Sequence, residues 1–92
     1  MEDKIACMHP EGKEAPRIDR DKYETIKRCI LNTIQEHEII SFKQLRVEVT
    51  HQLKGNFNGS ISWYLTTVKL DLEARGYIKR SKRNNLQHLE LA

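Results

Sequence analysis

Cysteine, proline and glycine are all scarce: two, two and four residues in a chain of 92, with a single tryptophan. Cys7 and Cys29 form no CxxC pair, and a disulfide framework normally uses more cysteines in so short a chain. They read as free, partly buried thiols in a reducing compartment. His9, His37, His51 and His88 fall in different segments at no ligand spacing, so no metal site is expected. No apolar run approaches the ~18 residues that a membrane span needs. The acidic start, Met1-Glu2-Asp3-Lys4, lacks the apolar core of a signal peptide. The expectation is a soluble, cytoplasmic protein with no membrane partner.

Catalytic patterns are missing as well. Gly55 and Gly59 match neither P-loop nor dinucleotide spacing. The serines and Cys29 sit in no nucleophile motif. Asp71 and Glu73 are two apart on an expected helix and diverge, which argues against a paired-carboxylate site. No enzyme activity, cofactor or small-molecule substrate is expected.

What is present fits one domain. The chain is 38% hydrophobic and 32% charged, enough to build one small core under a heavily solvated surface. A core of this size is often supplemented by self-association, so a homodimer is an open possibility. The formal charge of +3 permits a nucleic-acid partner without requiring one.

Residues 1–18 read as an N-terminal arm, broken by Pro10, Gly12 and Pro16, ahead of a domain over 19–92. A first helix begins near Asp19 or Asp21, with Asp21 and Glu24 at capping-box spacing, and runs to about Glu36. Tyr23, Ile26, Ile30 and Ile34 form its apolar stripe. Ile39-Ile40 reads as a very short strand or an extended linker. Ser41 caps a second helix over 42–53, with Phe42, Leu45, Val49 and Leu53 on one face and Gly55 past its end. After a turn-rich loop, Ser60 or Asn58 caps a third helix that runs to Arg75 and stops at Gly76. Residues 77–80 read as a strand, 81–85 as a hairpin tip and 86–91 as the return strand.

This order predicts an α+β, mainly α fold: a winged helix of three helices plus a C-terminal β-hairpin wing. Two features point to double-stranded DNA. From Ala74 to Leu89 there is no acidic residue, while Arg75, Lys79, Arg80, Lys82 and Arg83 are all cationic. Lys79, Arg80, Lys82 and Arg83 on a wing would meet phosphates and release counterions. The competing reading is a solvated hairpin whose charges discourage edge pairing. Asn58, Ser60, Ser62 and Thr66 at the start of the third helix are the base- or phosphate-contact candidates.

A second stripe on the same helix points elsewhere. With 100° per residue and Ile61 at zero, Ile61, Leu65, Val68 and Leu72 fall within roughly 40° of zero. Trp63, Thr67, Leu70 and Ala74 fall at roughly 180–240°, on the opposite side. Trp63, Leu70 and Ala74 are therefore candidates for a partner interface. The arm, a second copy of the chain, another protein or a DNA surface are the candidate covers. Lys69 with Glu73, and Asp71 with Arg75, are spaced for ion pairs, each worth about 0.3–0.5 kcal/mol if exposed.

The run Trp63-Tyr64-Leu65-Thr66-Thr67-Val68-Lys69-Leu70-Asp71-Leu72-Glu73-Ala74-Arg75-Gly76 resembles the signature of a family of small bacterial proteins of unknown function. Pro10-Glu11-Gly12-Lys13 and Ala15-Pro16-Arg17-Ile18-Asp19, followed by Tyr23, resemble that family's opening segment. The resemblance covers nearly the whole chain. It implies a winged-helix-like fold in a bacterial cytosolic protein, and it implies no reaction, cofactor or ligand.

Overall fold

The computed structural model describes residues 3–92; Met1 and Glu2, part of the acidic start, lie outside the described residues. The arm contains two strands, β1 (Lys4–Ala6) and β2 (Arg17–Asp19), which pair antiparallel with Ile5 opposite Ile18. Pro10, Gly12 and Pro16 all lie in the connecting loop, so they do not interrupt the pairing. The Cys7 amide donates to the Pro16 carbonyl at 3.1 Å and extends the hairpin by one rung. Ile18 and Cys7 are buried in the common core.

β2 runs directly into α1 (Arg20–His37). Its cap is Asp19, whose carboxylate accepts from the Lys22 amide at 3.2 Å, rather than Asp21. The expected stripe of Tyr23, Ile26, Ile30 and Ile34 is buried, together with Cys29 and Thr33. Both cysteines are free and buried. β3 (Ile39–Ser41) leads into α2 (Phe42–Leu53), capped by Ser41 through the Gln44 amide at 3.0 Å. Leu45 and Val49 are its fully buried residues.

α3 (Ile61–Arg75) starts at Ser60, whose hydroxyl accepts from the Trp63 amide at 3.2 Å. It ends at Gly76, held at φ 83°. The Tyr77 amide donates to the Leu72 carbonyl at 3.0 Å and the Gly76 amide to that of Glu73 at 3.2 Å. That pair of bonds is the Schellman closure, which needs a left-handed residue at this point. Leu65, Val68 and Leu72 are completely buried, each worth about 1.5–3 kcal/mol in transfer terms.

β4 (Ile78–Arg83) and β5 (Leu86–Leu91) form the C-terminal hairpin. The expected tip over 81–85 is corrected: the strand runs on to Arg83, and only Asn84 (φ 51°) and Asn85 (φ 65°) make the turn. Two consecutive left-handed residues define the tightest hairpin turn, and asparagine tolerates that conformation better than most residues. β3 joins the other edge of β5, so the sheet order is β3-β5-β4, antiparallel throughout. Ile40 and Arg80 both lie opposite Leu89, and Ile78 lies opposite Leu91. Directly paired residues share a sheet face, so Ile40, Ile78 and Leu89 turn inward together. The result is an α+β fold of three helices and two small antiparallel sheets.

Candidate functional site

The flanks of α3 carry most of the polar structure. Lys69 and Glu73 lie within about 20° of the sector that holds Ser62 and Thr66, at 100° per residue. Lys69 Nζ is 2.9 Å from Glu73 Oε2, and Arg80 Nε on β4 is 3.3 Å from Glu73 Oε1. The Lys69–Glu73 contact is close enough for charge pairing but outside hydrogen-bond alignment, and Oε2 makes no hydrogen bond. The Lys69 ammonium also sits 4.8 Å from the Phe42 ring centre at the start of α2. The Lys69 and Glu73 side chains are only 3% and 5% exposed, so the value for an exposed pair does not apply to them. Phe42 and the wing close over them.

On the other flank, Asp71 is fully buried. It accepts from the Met8 amide at 2.8 Å, from the Tyr23 hydroxyl, and from Arg75 Nε at 2.9 Å to both carboxylate oxygens. Arg75 also donates through Nη2 to the Ala6 carbonyl at 3.1 Å. One carboxylate therefore ties α3 to α1 and to the N-terminal hairpin. Burial pushes the Tyr23 phenol up, and the hydrogen bond to the charged Asp71 pushes it further. Burial lifts the Cys7 thiol to about 11, with the Asp71 charge adding to it. A thiol so raised is a poor nucleophile at neutral pH. Arg75 is held above its ordinary value by its hydrogen bond to Asp71.

The candidate nucleic-acid residues divide into two groups. Asn58, Ser60, Ser62 and Thr66 are exposed, although the Ser60 hydroxyl is already engaged as the helix cap. Lys79, Arg80, Lys82 and Arg83 are also exposed. The run of one sign in sequence is not of one sign in space. Glu73 reaches Arg80 from α3, and Glu90 lies 3.8 Å from Lys79 across the hairpin. Among the described residues, Lys82 and Arg83 form no ion pair with a carboxylate. Strand alternation puts Arg80 and Lys82 on the sheet face of Leu89, and Lys79 and Arg83 on the other.

The candidate partner residues are divided too. Thr67 and Leu70 line a crevice of about 80 Å³ with Met8, His9, Glu14, Ala15 and Pro16, so the arm covers that part of the stripe. Leu70 and Ala74 are half-buried, whereas Trp63 remains 47% exposed. Its ring lies edge-on to Tyr64 at 4.9 Å, and Tyr64 is edge-on to Phe57 at 5.2 Å.

Sequence reasoning missed the Tyr23–Asp71 bond, the Phe42–Lys69 contact and the Glu73–Arg80 bridge. The i, i+4 charge spacing marked three of the participants. Nothing in the sequence marked their burial.

Fold and site together define a small α+β domain whose third helix is clamped by a buried carboxylate on each flank. No helix of the described residues is long and apolar enough to cross a membrane. The chain belongs to the family of unknown function DUF6958, whose family model matches residues 4–89. No curated protein and no solved structure gives a match.

Proposed function

We propose that the protein is a winged-helix domain that binds double-stranded nucleic acid. α2 and α3 would act as the helix-turn-helix and the β4–β5 hairpin as the wing. The supporting observation is the Glu73–Arg80 bridge. It sets the wing beside the same flank of α3 that exposes Ser62 and Thr66. A duplex on that flank would meet the start of α3 and the Lys82 side chain together, with Arg83 beside it at the end of β4. The strand order β3-β5-β4, with β3 between α1 and α2, also suits this architecture.

The bridge refines which cations bind phosphate. Lys82 and Arg83 lead, because Lys79 and Arg80 share their charge with Glu90 and Glu73. The test is duplex affinity as a function of salt. Removing one phosphate-binding cation should lower the slope of log K against log salt by about 0.9. K82A/R83A should reduce both affinity and slope, and unchanged values for both would overturn the reading.

A second reading rests on Trp63. An exposed tryptophan at the end of a partly covered apolar stripe suits a homodimer or protein-partner contact. Sedimentation over a range of concentrations tests it: W63S should abolish any self-association, and a wild-type protein that stays monomeric removes the dimer.

A further inference from the structure

The inner face of the wing holds a cleft of about 430 Å³, lined by Arg80, Ser81, Lys82 and Gln87. No carboxylate is among its lining residues. Glu73 takes the Nε side of the Arg80 guanidinium at 3.3 Å, and Arg80 makes no hydrogen bond within the described residues. A guanidinium carries five N–H donors, so most of its donor capacity remains. Glu73 is shared between Lys69 and Arg80, and Lys82 follows two residues on from Arg80 on the same face. Lys69, Arg80 and Lys82 thus stand along this edge of the domain with Glu73 between the first two, and the Glu11 charge also feels Arg80.

One atom of the lining residues adds a further sign. Gln87 Oε1 is shielded from solvent and has no hydrogen-bond partner among the described residues. Shielded polar atoms are nearly always paired, and one left unpaired in a native protein calls for a missing partner. Gln87 lies directly opposite Lys82 in the hairpin. Gln87 therefore shares the face of Arg80 and Lys82, and its side-chain amide nitrogen can donate there.

We propose that this cleft is a phosphate subsite, with Arg80 and Lys82 supplying charge and the Gln87 side-chain amide supplying a directed donor. The phosphate is either a backbone phosphate of a bound duplex or that of a free phosphorylated compound. The first source rests on the nucleic-acid reading above, and the second does not.

The experiment follows the Gln87 side-chain amide, the Ser81 amide and the Arg80 Nε–H by NMR during titration with inorganic phosphate, against sodium chloride at matched ionic strength. Saturable shifts at these three groups, produced by phosphate and not by chloride, are expected. K82Q, at an exposed position, should weaken binding about tenfold, as expected for removing one charge-assisted hydrogen bond. Q87L should weaken it while leaving the rest of the spectrum in place. Absent shifts, equal shifts at distant cations such as Lys43 and Lys54, or a K82Q protein that binds as before would overturn the proposal. A short duplex is then added. Displacement of phosphate assigns the subsite to the backbone. Phosphate that saturates the cleft while no duplex binds assigns it to a free phosphorylated compound, and the nucleic-acid reading falls alone. A duplex that binds without moving Gln87 or Arg80 overturns the subsite and leaves that reading standing.

Discussion

Asp71 holds together three segments that are far apart in sequence. Its partners are a backbone amide in the loop after β1, a phenol on α1 and a guanidinium one turn along α3. Asp71→Asn keeps the volume and removes the charge. Because Arg75 remains 35% exposed and can turn to solvent, the cost should fall below that of a fully buried pair, about 2–3 kcal/mol. Tyr23→Phe removes one hydrogen bond to a buried charge and should cost about 1–3 kcal/mol. Urea unfolding of both variants checks the ranking. The same groups set an alkaline limit. The folded state raises the Cys7 thiol from 9.0 to about 11, so it holds that proton more tightly than the unfolded chain does. The contribution is therefore complete below pH 9 and is lost as pH rises toward 11. Tyr23 is raised in the same sense and extends the decline to higher pH. Denaturation midpoints should be flat up to about pH 9 and fall above it. The fall should be shallower in Cys7→Ala.

At the scale of elements, the helices were legible because each carries its own start and stripe, and the second and third a glycine past the end; the first ends at Glu38, held at φ 64°, which nothing in the sequence marks. Ser41 and Ser60 cap the second and third helices, and Gly76 closes the third, as their side chains dictate. Gly76→Ala tests the closure. A Cβ there would meet nothing within 4 Å, so the cost is purely conformational. It should be about 1 kcal/mol, lowering Tm by about 4–8 °C. The N-terminal hairpin was hidden because its strands are three residues each, too short for an alternation to register. The buried pairs were hidden for another reason. A Lys–Glu pair at i, i+4 has the same sequence spacing whether water or Phe42 lies over it. The candidate contact residues were legible as types, but the neutralising Glu73 and Glu90 arrive from other positions in the chain. The Lys69–Glu73–Arg80 arrangement makes an asymmetric expectation. Glu73→Ala strands a buried ammonium and should cost about 3 kcal/mol, whereas Lys69→Met leaves Glu73 with Arg80 and should cost roughly 1 kcal/mol. Thermal unfolding of the two variants gives the comparison, and equal losses would mean that Arg80 contributes nothing to Glu73.

At the scale of the molecule, the domain presents two different surfaces on α3. One is a polar flank running from Ser62 and Thr66 past Arg80 toward Lys82. The other is the partly covered stripe that ends in exposed Trp63. A protein serving a duplex should use the first and leave the second unchanged on binding. The most direct measurement is an N–H NMR titration with a short duplex at low salt. Shifts should concentrate at Ser62, Thr66, Lys82 and Arg83 and be reversed by added salt, with the Trp63 indole N–H and the amides around Leu70 and Met8 unmoved. Shifts centred on Trp63, or none anywhere at a duplex excess, would contradict the nucleic-acid reading.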